Sequence, residues 1–283
     1  MSAKRSDSAI ACGLLLAIFL WGANNAGTKY IVATWPPVFT GATRFLAAGL
    51  LMLALFRWLD RSSPPQPMTP SLKSRLWWRG GLSLAAYVVC FNWALRLTSA
   101  SHVALYLGAS PVWALIWEGR FEKNWRTFQR YFAALVALTG VFVLFFPALN
   151  SSRANSWVGE VLGLLVSVLW TNYGRQSRLL GAELSGSWVA AHTMWRAGAL
   201  LLPLGLLELP GHGLPWRMDL VWIQIYCVIA GGVVAFALWN GALRVWPASR
   251  VLLFNNLIPL STTTWSYFCL SEPITPTFWV AMV

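Results

Sequence analysis

The sequence predicts an all-α integral membrane protein of ten transmembrane helices, arranged as two inverted five-helix repeats. Composition gives the first reason. Of 283 residues, 57% are hydrophobic and only 11% are charged, whereas soluble domains carry roughly a quarter charged residues. The second reason is that the apolar residues fall into ten runs separated by short polar gaps. The third is an internal repeat. Shifted by 148 positions, Asn92, Ala94, Leu95, Arg96, Ala100, Ser101, Val103, Leu105 and Pro111 fall on identical residues from Asn240 to Pro259, nine identities in twenty positions without a gap. Leu20-Trp21 is echoed by Leu169-Trp170, and Arg44 by Arg196, each Arg leading into an Ala/Gly/Leu-rich run. Five segments per copy is an odd number, so the second copy (148–283) must cross the bilayer upside down relative to the first (1–147).

The segments run over about 9–31, 37–58, 77–97, 100–118, 128–147, 157–179, 186–207, 219–243 and 248–270, with a tenth from about 275. About twenty residues are needed to cross ~30 Å of hydrocarbon. Nine segments meet that length, and the tenth is expected to be incomplete at Val283. The first follows a basic start, MSAKRSDSAI, but continues through Trp21, Asn24 and Asn25 without a small-residue cleavage site. It is expected to be a retained helix rather than a cleaved signal. The link from Asp60 to Leu76 is rich in Pro, Ser and basic residues and is expected to be a flexible loop.

Charge distribution sets the sidedness. With the N-terminus inside, fifteen Lys and Arg fall in inner gaps and four (Lys29, Arg96, Arg153, Arg217) in outer ones, with Arg44 and Arg196 inside segments. This predicts cytoplasmic N- and C-termini. The net charge of +12 comes from these gaps and forms no stripe for nucleic acid. Cys12, Cys90, Cys227 and Cys269 have no C-x-x-C spacing and are expected to be small buried hydrophobes. No H-E-x-x-H, G-x-S-x-G or P-loop is present, and His102, His192 and His212 stand apart, which argues against an enzyme. No cofactor and no metal are expected.

The Pro/Glu pairs Pro111 with Glu122 and Pro259 with Glu272, eleven and thirteen residues apart, close the fourth and ninth segments. Together with Ala237-Leu238-Trp239-Asn240-Gly241, Asn255-Asn256-Leu257-Ile258-Pro259 and Ser271-Glu272-Pro273, they make the chain resemble the drug/metabolite transporter superfamily, EamA type. Within it the chain is similar to YddG-like exporters of aromatic and other amino acids. The resemblance covers essentially the whole chain. It implies a bacterial inner-membrane exporter whose first, third, fourth, sixth, eighth and ninth helices surround a central cavity.

Polar side chains in hydrocarbon mark the interior, because they are costly unless paired or wet. Trp21, Asn24, Asn25 and Thr28 share one face of the first segment at helical spacing. The sixth offers Trp170 and Tyr173, the third Tyr87, the fourth Tyr106, the eighth Trp239 and Asn240, and the ninth Asn255 and Asn256. Flat aromatic walls with amide tips suit a zwitterion with an apolar side chain. The same amides can instead bond neighbouring helices. Pro111 and Pro259 break the helical ladder, as hinges or as static kinks.

Arg44 lies close enough to the end of its segment to snorkel to the headgroups. Arg196 and His192, one turn apart, are expected to form a structural pair. All nine acids fall at or near segment ends, so no carboxylate proton relay is expected, and a facilitator fits better. The expected function is a monomeric secondary transporter that exports neutral and aromatic amino acids, contacting only its small-molecule solute and membrane lipid. The alternatives are another metabolite or drug, or the membrane subunit of an ATP-driven system.

Overall fold

The computed structural model describes residues 7–59, 68–118, 156–243, 245–246, 251 and 253–282, with short runs between 125 and 143. Among the described residues the chain is helical and has no strand. The predicted fifth segment lies largely outside them, as do Glu122 and the stretch 60–67.

The helices are α1 (Asp7–Val32), α2 (Pro37–Leu59), α3 (Pro70–Leu97), α4 (Ala100–Gly108), α5 (Ser110–Glu118), α6 (Ser156–Leu180), α7 (Gly186–His212), α8 (Met218–Leu243), α9 (Ile258–Leu270) and α10 (Pro276–Met282). Among the described residues five spans are long and apolar enough to cross a membrane: α1, α2, α3, the α4–α5 run and α8. With 25 and 27 residues, α6 and α7 have the length, but polar residues such as Glu160, Arg175, His192 and Arg196 dilute them.

Four expectations need correction. First, α3 begins at Pro70, inside the stretch expected to be a loop. Thr69 caps it by accepting from the Leu72 amide at 3.1 Å, and Pro70 occupies the first turn, where its missing N–H costs nothing. Second, the fourth segment is broken at Ala109, and the ninth opens as a 3₁₀ turn over Leu253–Leu257. Pro111 and Pro259 therefore stand in the first turns of α5 and α9, immediately after a break rather than inside a continuous ladder. Third, α3 and α8 are not uniform α-helices. Leu76–Gly81 and Cys227–Val234 adopt the wider i→i+5 pattern, and each stretch holds a Gly-Gly pair. Fourth, Cys227 alone of the four cysteines is buried; Cys12 and Cys269 lie on the outer surface of their helices, where an apolar side chain suits lipid as well as it suits a core.

Packing follows a reciprocal scheme. α1 lies against α8 and α9, while α6 lies against α3 and α4. α2 touches the wide turn of α8, while α7 touches the wide turn of α3. α2 and α7 cross each other with their backbones in contact. A Cβ on Gly49 would stand 2.3 Å from the Trp195 amide nitrogen, and one on Gly198 would stand 2.3 Å from the Leu46 nitrogen. The two close approaches mirror each other, since Leu46 and Gly49 face Trp195 and Gly198 at the same three-residue spacing.

At the end of the bundle remote from the N-terminus, called the far end, two corners are tied together. The Trp35 indole donates to the Pro215 carbonyl at 3.0 Å and Tyr30 OH to Asp219 Oδ2 at 2.7 Å, with Arg217 also donating to both. Glu208 of α7 accepts from the Val38 and Phe39 amides at 2.8 and 3.2 Å. Those are orphan donors in the first turn of α2, where the helix dipole also favours a carboxylate.

Candidate functional site

Two aromatic groups each join a helix of the first half of the chain to one of the second. Trp21 of α1 packs edge-on to Phe236 of α8 and tilted against Trp239, both at 5.2 Å between ring centroids. Its indole N–H donates to the Gly231 carbonyl at 3.0 Å, in the wide turn of α8. Across the bundle, Trp170 of α6 meets Tyr87 of α3 at 4.9 Å and Tyr173 at 5.5 Å, while Tyr87 stacks on Phe91 at 5.4 Å. Aromatic pairs at such spacings add about 0.5–1.5 kcal/mol beyond their burial. Trp21, Trp170 and Trp239 remain partly exposed, whereas Tyr87 is buried.

The other predicted site residues divide by what they bond. Half-buried Asn24 offers its carbonyl to Thr28 Oγ1 at 2.7 Å and to the Cys227 thiol at 3.8 Å. Buried Asn25 donates to Thr262 Oγ1 of α9 at 3.0 Å, a stitch between helices. Tyr173 OH bonds Thr193 Oγ1 of α7 at 2.9 Å and is a second stitch. Asn240 donates back to the Phe236 carbonyl of its own turn at 2.8 Å. Asn255 is half-buried and Asn256 exposed, both on the 3₁₀ turn before α9.

Tyr106 is fully buried and belongs to a different constellation at the far end. Its hydroxyl donates to Glu160 Oε2 of α6 at 2.6 Å. Glu160 Oε1 accepts from Thr98 Oγ1 at 2.5 Å and faces His102 Nδ1 at 2.9 Å. Glu160 lies near the start of α6, as the sequence predicts of the acids, but it is only 4% exposed. It sits near an end but is enclosed by three polar partners, as a buried carboxylate must be. Beside it, Lys29 of α1 donates to the Thr98 carbonyl at 2.6 Å and lies 3.9 Å from Glu272. Glu272 in turn accepts from the Ala100 amide, the first residue of α4, at 3.1 Å. Ser271 makes this reach by taking a left-handed φ of 54° where α9 ends. The one sequence signal for the cluster was the four-residue spacing of Thr98, His102 and Tyr106, which puts the last two on one helical face.

Arg44 brings a further correction. It does not snorkel; it is 4% exposed and turned into the bundle, donating to Thr28 Oγ1 of α1. Arg196 bonds His192 Nδ1 at 3.1 Å and the His192 carbonyl at 3.0 Å, and its guanidinium lies over Trp195 at 4.3 Å and Trp77 at 5.4 Å. No group of three His, Cys, Asp or Glu among the described residues could hold a metal.

The EamA-like transporter family model matches residues 8–146 and again residues 157–283. The chain belongs to the EamA-like transporter family. As a member of that family, within the drug/metabolite transporter superfamily, it is a membrane transporter and not an enzyme. It is 22% identical to the uncharacterized transporter YwfM of Bacillus subtilis over 95% of this chain and 88% of that one. It is 28% identical to the uncharacterized inner membrane transporter YedA of Escherichia coli K12, over 67% of this chain and 60% of YedA. A probable biotin transporter of Pseudomonas aeruginosa is 26% identical over 86% of this chain and 83% of its own length. One solved crystal structure superposes with a TM-score of 0.64 at 19% identity, covering 98% of this chain and 92% of its own, a likeness of fold.

Proposed function

We propose that this EamA-like transporter is a ten-helix secondary transporter that exports neutral and aromatic amino acids by alternating access. Two inverted repeats, 1–147 and 148–283, exchange roles around a site lined by Trp21, Asn24, Tyr87, Trp170 and Trp239. The observation that carries the reading is the mirrored close approach of Gly49 to Trp195 and Gly198 to Leu46. A pseudo-two-fold axis between α2 and α7 produces such a pair, and inverted repeats use that axis to alternate. The reciprocal packing of α1 with α8 and α9, and of α6 with α3 and α4, supports the same axis, as does the double match of the family model. The excess of Lys and Arg in one set of gaps supports cytoplasmic termini, which puts the far end outside.

The two aromatic groups suit a solute with a flat apolar side chain, and the breaks before Pro111 and Pro259 serve as joints. A second reading, export of a non-amino-acid metabolite, is favoured by the relative named a probable biotin transporter. Flux of radiolabelled phenylalanine, tryptophan, methionine and biotin into proteoliposomes tests both. The expected outcome is equilibrating uptake of the aromatic amino acids, reduced at least tenfold in Trp21→Ala and Trp170→Ala. Uptake of biotin alone would transfer the protein to the second reading. Accumulation against a gradient on imposing a pH difference would contradict the facilitator.

A further inference from the structure

Arg44 is a cation enclosed in a membrane protein, and among the described residues no carboxylate pairs with it. Six acids have their own partners. Glu160 is held by Thr98, His102 and Tyr106, Glu208 by the start of α2, and Asp219 by Arg217 and Tyr30. Glu183 pairs with Arg75 at 2.5 Å and Glu272 with Lys29, while Asp7 accepts from Trp246. Enclosing a charge costs several kcal/mol unless an opposite charge completes it.

What surrounds Arg44 is polar but uncharged. Thr28 Oγ1 accepts from it, the Cys227 thiol stands 4.0 Å from that hydroxyl, and Tyr87 and Cys227 lie within electrostatic reach of the guanidinium. The Phe45 ring lies 4.8 Å below. A guanidinium carries five N–H donors in a planar fork. One hydroxyl and one thiol leave much of that fork to a planar, bidentate acceptor. Arg196 lies over two indoles and bonds its own turn, and its buried Nε has no partner among the described residues.

We infer that Arg44 anchors the carboxylate of the transported solute, with Tyr87 and Trp170 holding its apolar part. The inference rests on the proposed transport reading and narrows its substrates to monocarboxylates, whether amino acids or simple organic acids. Tyr87 connects the two features, since it lies within electrostatic reach of Arg44 and packs its ring against Trp170 at 4.9 Å. Arg44 is covered in the present conformation, so binding accompanies the parting of α1 from α2 and α3.

Full-length protein in proteoliposomes is tested for inhibition of radiolabelled phenylalanine uptake. The competitors are 3-phenylpropionate, phenylalaninamide and 2-phenylethylamine, and thermal stabilisation by each compound is measured in detergent. Acids are expected to compete and stabilise, with the amide and the amine at least tenfold weaker. Arg44→Gln is expected to lose acid binding about a hundredfold, and Arg44→Lys to keep part of it. Melting without solute shows whether either variant is folded, and the wild-type panel stands without them. Equal competition by phenylalaninamide or phenylethylamine overturns the anchor while leaving the transporter reading intact. Transport of 3-phenylpropionate but not of phenylalanine keeps the anchor and removes the amino-acid reading. An absence of stabilisation by every acid, biotin included, overturns the anchor.

Discussion

Gly49→Ala will force α2 and α7 apart and lower stability by about 3 kcal/mol, at the upper end of what overpacking usually costs. The new methyl would stand 2.3 Å from the Trp195 nitrogen and 2.8 Å from its Cα. Both obstacles are backbone, so no rotamer change relieves them and the helices themselves must separate. Gly198→Ala meets the Leu46 backbone in the same way, at 2.3 and 2.6 Å. Because the two methyls press on one crossing, the first displacement relieves part of the second. The double variant should therefore lose clearly less than the sum of the singles, as neighbouring sites do. Thermal melting of the three variants in detergent decides the point. A Gly49→Ala protein that melts with the wild type, or strict additivity in the double variant, would mean that α2 and α7 do not cross as described.

Glu160→Gln carries the second large effect. The carboxylate accepts from Thr98 and Tyr106 and faces His102, all within 2.9 Å. Glutamine keeps the volume but replaces one acceptor oxygen with a donor, so an enclosed hydroxyl or imidazole loses its partner. Breaking a buried charged pair from one side typically costs about 3–5 kcal/mol, and about 3 kcal/mol is expected here. Tyr106→Phe should cost about 1–2 kcal/mol, because it leaves a carboxylate oxygen short of one donor. Combined, the two should fall short of their sum, since the substituted amide no longer offers Tyr106 the same acceptor. A Glu160→Gln protein within about 0.5 kcal/mol of wild type, the range of an ordinary surface substitution, would place these groups in water instead.

The sequence made the spans legible because apolar length is a property of the chain alone. Among the described residues five spans long and apolar enough to cross a membrane coincide with predicted segments, the third starting seven residues early. The ninth segment, by contrast, becomes an α-helix only at Ile258. Trp21 and Trp170 hold matching places in two copies of one pattern, and each packs into an aromatic group. What stayed hidden depended on partners distant in the chain. Glu160 looked like a helix-end acid until His102 and Tyr106, more than fifty residues earlier, closed around it. Arg44 looked close enough to the bilayer surface to escape, and only the neighbouring α1 shows where its guanidinium goes. The start of α3 was missed for a local reason: Thr69-Pro70 is a helix-opening signature, but the polar turn after it falls below any apolar threshold.

The far-end ties of Trp35 to Pro215, Tyr30 to Asp219 and Glu208 to the first turn of α2 all lie on one side of the bundle. They join the α1–α2 corner to the α7–α8 corner through short connections with little slack. The opposite side is closed instead by the reach of Lys29, Glu272, Thr98 and Glu160, with no short connection joining them. The molecule thus has a spine and a fore-edge, like a bound book, and a passage can widen only where the binding is not. Cysteines at positions 35 and 215 joined by a bis-methanethiosulfonate crosslinker are then expected to leave flux unchanged, whereas the same crosslink between positions 29 and 272 should stop it until reduced. On the export proposed above, this geometry would send the solute out past α4 and α9.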